Sequence, residues 1–181
     1  MKNIYFPVDN EKFLERLKVG DEVFINGKIL TARDMAHKKL NEMIKKKQDI
    51  PVNLKGSLIY YAGPSPTPKG KIVGSIGPTT SKRMDKLTIP LLKLGLKGTM
   101  GKGERSKEIV NIFKKFKVVY FVTFGGCGAY LNQFVKNIKL VCFEELGPEA
   151  IYELEVYNFP AIVGIDIYGN DFFIRNRYNL K

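Results

Sequence analysis

The sequence predicts a mixed α/β domain with flanking helices. Strand-like apolar runs alternate with helical patterns in the middle of the chain, and hairpin-like segments flank them at both ends. A purely parallel sheet fits less well, because tight hairpins join antiparallel strands. The 181 residues, 44% of them hydrophobic, suffice for one buried domain spanning 1–181, with no internal repeat and no linker.

Taken in order, residues 22–25, Asn26-Gly27 and 28–31 read as a hairpin, since Asn-Gly supplies the positive-φ pair of a type I′ turn. From Asp34 to Lys47 the period becomes helical, with Ala36, Leu40, Met43 and Ile44 on one stripe and Arg33, His37 and Asn41 on another. Residues 57–62 form a short apolar strand ended by a loop stiffened by Pro64, Pro66 and Pro68. Thr79, Thr80 and Ser81 precede a helical stretch whose free amides they can cap; Thr88 and Pro90 can restart it and Gly95 ends it. The glycine spacing makes 98–103 a loop, followed by a helix with Ile109, Ile112, Phe113 and Phe116 on its apolar face. Residues 118–123 read as a strand buried on both faces, turned by Gly125-Gly126-Cys127-Gly128 into a helix over 129–135. A strand at 139–143, a short helix from Pro148 to Val156, and strands at 161–167 and 172–174 joined by a turn complete the chain.

Two cysteines, Cys127 and Cys142, are too few for a disulfide framework, a structural zinc or a cluster, so any cluster is ligated elsewhere and this chain supplies no metal ligands. No window approaches a membrane span, and the start lacks a signal-peptide core, which gives the expectation of a cytoplasmic location. The net charge of +12 permits anionic substrates, an acidic partner, nucleic acid or a Lys-rich solvated surface. Lys45-Lys46-Lys47 and Lys114-Lys115 fall at helix C-termini, where lysines complement the dipole. No nucleic-acid module or aromatic–basic interleaving stands out.

Three helix-start or glycine-rich junctions each carry a cation: Arg33 in 31–37, Lys82 and Arg83 in 77–83, and Lys102 in 98–103. Arginine beside a helix start is disfavoured by the dipole unless an anion also sits there, and its planar fork matches a carboxylate bidentately. The ordinary alternative for each is a solvated or ion-paired side chain. His37, the one histidine, lies a turn after Arg33, either facing the same cleft as acid, base or donor, or packing locally. A threonine hydroxyl such as that of Thr79 becomes a proton acceptor only where positive charge stabilises its alkoxide. Cys127 lacks a partner motif for a nucleophile, and Gly101-Lys102-Gly103 departs from the P-loop pattern.

The ordered set 27–37 (GKILTARDMAH), Tyr61-Ala62-Gly63-Pro64, 77–85 (GPTTSKRMD), 98–103 (GTMGKG), 125–129 (GGCGA), and 153–156 with Phe159-Pro160-Ala161 resembles the β subunit of class I fumarases and L(+)-tartrate dehydratases, from about Val19 to Phe173. The resemblance implies a swivelling β/β/α domain and an α subunit carrying a 4Fe-4S cluster whose open iron acts as a Lewis acid. It further implies a dimer of αβ pairs, inactivity of this chain alone, and a dicarboxylate substrate. By motif, Arg33, Arg83 and Lys102 would bind its carboxylates together with Thr80, Ser81 and Lys82. Thr79 would remove the C3 proton of (S)-malate on the way to fumarate, with His37 a weaker catalytic candidate. Tartrate dehydration to oxaloacetate is the nearest alternative, and a binding or assembly module of the same fold is the alternative of a different class.

Overall fold

A computed structural model describes residues 1–174. Seven strands form one mixed sheet: β1 (Lys2–Phe6), β2 (Glu22–Thr31), β3 (Leu58–Tyr60), β4 (Gly98–Gly101), β5 (Val119–Val122), β6 (Val135–Cys142) and β7 (Ile151–Ile165). Its order is β1-β2-β3-β4-β5-β7-β6, and β2 also pairs with β7, so that β2, β3, β4, β5 and β7 close into a five-stranded barrel. The pairs from β1 through β5 are parallel, while those made by β7 are antiparallel. The expected mixed sheet is therefore present, and its closure is what the sequence pattern did not show.

Helices α1 (Asp34–Lys45), α2 (Asp85–Leu92) and α3 (Lys107–Phe116) pack on one side of this sheet, and a four-residue α4 (Gly128–Leu131) follows β5. The period-2 alternation of strand side chains divides the interior in two. Ile25, Tyr60, Met100, Phe121, Phe159 and Val163 fill one core, while Ile59, Tyr61 and Tyr120 belong to a second that includes Leu40, Leu91, Ile109 and Phe113 of the helices. At α3, Ser106 caps the start by accepting from the Ile109 amide, and Lys114 and Lys115 occupy the last turn, as Lys45 does in α1.

Several local expectations are overturned. The hairpin at 22–31 is one continuous strand: Gly27 has positive φ (+88°), but it forms a bulge, and the strand runs on because β7 pairs along both halves. Residues 98–101 are strand β4 and not loop; a Cβ on Gly98 would lie 3.0 Å from the Phe6 ring and one on Gly101 2.1 Å from Ser81 Oγ, so these glycines permit close packing. The helix predicted over 148–156 is the start of β7, where buried Leu154 and Val156 alternate with exposed Glu155 and Tyr157, after a 3-10 turn at Glu144–Glu149. The helix predicted over 129–135 stops at Leu131 and continues only as a 3-10 turn to Phe134. Residues 172–174 are helical, with a single bridge between Ile165 and Asp171 in place of a second strand. Pro90 lies inside α2, which does not restart.

Candidate active site

Parallel strands all deliver their C-terminal ends to the same edge of the barrel, the side on which open α/β sheets hold ligands. β2 leads to Arg33, β3 to Tyr61 and the loop reaching Thr79, β4 to Lys102, and β5 to Gly125. The junctions singled out by sequence therefore meet, through backbone contacts that span large sequence separations.

Arg33 occupies the N-cap position of α1 and offers no capping acceptor. Glu149 takes that part: its Oε2 accepts from the Met35 amide at 2.9 Å, and its Oε1 lies 3.6 Å from Arg33 Nη2. The Nε of Arg33 is buried with no hydrogen-bond partner. Arg83, 44% exposed, places Nε 3.1 Å from Oδ1 of Asp34, the first residue of α1, and so sits against the same helix start.

His37 lies in the core and does not face a cleft. Its ring is 0% exposed, stands edge-on to Tyr61 at 5.6 Å, and holds Nδ1 2.9 Å from the Arg33 carbonyl. A carbonyl only accepts, so Nδ1 carries the proton and donates; burial pushes the imidazole pKa down to about 4 and keeps it neutral. Of the two expectations for His37, facing a cleft or packing locally, the buried ring shows the second, with Nδ1 holding the Arg33 main chain.

The Thr79 amide and hydroxyl both donate to the Tyr61 carbonyl, at 2.7 and 2.9 Å, leaving the hydroxyl lone pairs unengaged by that bond. Thr80 is exposed and forms a parallel bridge with Lys102, in which the Lys102 amide donates to Thr79 O at 3.1 Å and the Ser81 amide to Lys102 O at 3.0 Å. None of the three hydroxyl residues caps a helix by its side chain: the following turn, Lys82–Met84, starts with no side-chain cap bond. Ser81 is fully buried, and its Oγ lies 2.9 Å from Tyr120 Oη, so it is withdrawn from the surface where a ligand would bind. Lys82 is exposed and pairs with Glu104 at 3.0 Å. Lys102 makes no ion pair among the described residues, and Gly125 leaves room for its stem, since a Cβ there would lie 3.1 Å from Lys102 Cδ.

Sequence reasoning passed over the residues beneath this layer. Arg105 is buried: Nε donates to Asp85 Oδ1 at 2.5 Å, Nη1 to Thr99 Oγ1 at 3.3 Å and Nη2 to Tyr61 Oη at 3.4 Å. The other Asp85 oxygen accepts from the Ser106 amide at 2.9 Å, joining the start of α2 to that of α3. The position of Arg105 three residues after the glycine-spaced Lys102 was the only available signal. Among the described residues no three His, Cys, Asp or Glu side chains are grouped to hold a metal ion, and no helix is long and apolar enough to cross a membrane.

A closed mixed barrel with flanking helices and a cationic, hydroxyl-bearing edge defines an α/β domain. More particularly, residues 3–176 match the family model described as fumarase C-terminus, and the chain belongs to that family. It is 45% identical over 169 residues to a Methanocaldococcus jannaschii protein provisionally named L(+)-tartrate dehydratase subunit beta, covering 90% of this chain and 87% of that one. It is 33% identical to the L(+)-tartrate dehydratase subunit beta of Escherichia coli K12, covering 98% of this chain and 89% of that one. It is also 41% identical to the aerobic class I fumarate hydratase of E. coli K12, covering 88% of this chain but only 30% of that longer protein.

Proposed function

We propose that this chain is the β subunit of a two-chain iron–sulfur hydro-lyase that reversibly dehydrates (S)-malate to fumarate. The observation that carries the reading is the gathering of Arg33, Arg83, Thr79 and Lys102 at one barrel edge by three parallel strands, β2, β3 and β4, and the bridge between Thr80 and Lys102. In this reading Arg33 and Arg83 bind the two carboxylates, with Lys102 and the exposed Thr80 and Lys82 completing the anion contacts. Thr79 takes the C3 proton, and the nearby cations lower the cost of the alkoxide that accepts it and of the dianionic character developing on the substrate.

Two cysteines are too few to ligate a 4Fe-4S cluster, which supports placing the cluster on an α partner. The "subunit beta" names of two relatives support such a partner. A cytoplasmic dimer of αβ pairs, with residues 1–181 acting as a single swivelling β/β/α domain that is inactive alone, belongs to the same proposal.

A second reading, dehydration of L(+)-tartrate to oxaloacetate, is favoured by a specific observation: the relatives matched over nearly their whole length carry that name. Anaerobic co-expression with a candidate α chain, followed by assays with malate, fumarate and tartrate, separates the readings. Turnover of malate and fumarate supports the first and turnover of tartrate alone the second. Activity with none of these would leave a binding or assembly module.

A further inference from the structure

We infer that Arg105 is a positioning residue that, through Tyr61 and Tyr120, fixes both sides of the Thr80–Lys102 bridge. The inference rests on the hydro-lyase reading for its catalytic meaning, but its geometry stands alone. The guanidinium carbon lies 5.4 Å from the Tyr61 ring centroid and 5.0 Å from that of Tyr120, so the two tyrosines, one just after β3 and the other on β5 on the far side of β4, share one buried cation.

Each tyrosine then holds one side of the bridge. Tyr61 presents the carbonyl that receives both Thr79 donors, while its own hydroxyl is held between Arg105 Nη2 and Thr88 Oγ1, 2.8 Å away. Tyr120 Oη lies 2.7 Å from the Gly103 carbonyl and 2.9 Å from Ser81 Oγ. A phenol has one proton and a carbonyl only accepts, so Tyr120 donates to Gly103 and Ser81 donates to Tyr120. Burial pushes the Tyr120 phenol pKa upward and keeps that donor protonated. Residues on both sides of the bridge, Ser81 after Thr80 and Gly103 after Lys102, are thus tied to the same ring.

Three nitrogens of Arg105 bond in three directions, to Asp85, Thr99 and Tyr61, a fork that an ammonium does not reproduce. Arg105→Lys tests this directly, and Tyr120→Phe, which deletes one oxygen and leaves the charge pair intact, tests it where the lysine variant does not fold. Amide hydrogen exchange of the full chain, followed by NMR, reads the Ser81 and Lys102 amides that form the bridge against the Leu40 amide in α1. Both variants are expected to speed exchange at Ser81 and Lys102 by about tenfold or more while Leu40 keeps its protection. Unchanged protection at the bridge, or an equal loss at Leu40, overturns the inference. In the complex with an α chain, the same variants should lower kcat by a larger factor than they raise KM, and wild-type KM-type behaviour with unaltered kcat also overturns it. An inactive wild-type complex would sink the hydro-lyase reading alone, because the exchange measurement needs no substrate.

Discussion

Two arginine–aspartate pairs use the first residue of a helix as their acid, and they sit in opposite surroundings. Arg83 meets Asp34 at the start of α1 with side chains 44% and 29% exposed, whereas Arg105 meets Asp85 at the start of α2 with 0% and 9% exposed. In water the first pair is screened and gains little, so its guanidinium is free to exchange Asp34 for an incoming carboxylate. Away from water the second pair holds two charges that neither partner can leave without exposing the other unpaired. Identical chemistry thus leaves an exchangeable pair at the rim and a fixed strut below it.

The largest effect expected from this contrast is on stability. Arg105→Met leaves Asp85 buried without its cation and should cost about 3–5 kcal/mol in urea unfolding, whereas a loss below about 1 kcal/mol would mean that the pair is not the strut described. Next, Arg83→Lys keeps the charge and loses the fork, so turnover of the αβ complex should fall about a hundredfold, roughly 2.7 kcal/mol, with little change in unfolding midpoint. Near-normal kinetics would remove Arg83 from the site.

A smaller effect comes from His37. Its folded pKa of about 4 lies below its ordinary 6.5, so the unfolded chain binds the extra proton between those values. Its contribution is therefore complete above pH 6.5 and declines as pH falls toward 4, by about 2 kcal/mol at pH 5. His37→Gln should flatten that part of the stability–pH curve, and an unaltered slope would show that His37 titrates normally. Last, Asp34→Asn, which breaks only the exposed pair, should change stability by less than about 1 kcal/mol.

Much of this site was legible because its cations lie in junctions marked by glycine, threonine and helix-start patterns: Arg33, Arg83 and Lys102 could be singled out without coordinates. Arg105, Glu149 and Tyr120 could not, since each acquires its role from a contact with a distant segment, such as Glu149 with the Met35 amide. In the fold, α1 and α3 followed from their periodicity. β2 and β4 did not, because Asn26-Gly27 and Gly98 carry local turn signals that pairing with β7 and β5 overrides. Asn26 in particular spends its side chain across strands, donating to Asn3 and accepting from the Asn158 amide. β7 was divided in the sequence reading, although Asn158 and Pro160 lie within one 15-residue strand.

The seam between β2 and β7, running from Glu22 opposite Ile162 to Thr31 opposite Tyr152, locks the ring along most of its height. Spreading the mouth would therefore require breaking backbone pairs, not merely shifting side chains. The cationic rim is thus a pre-shaped edge, presented by a ring that holds its form as one piece.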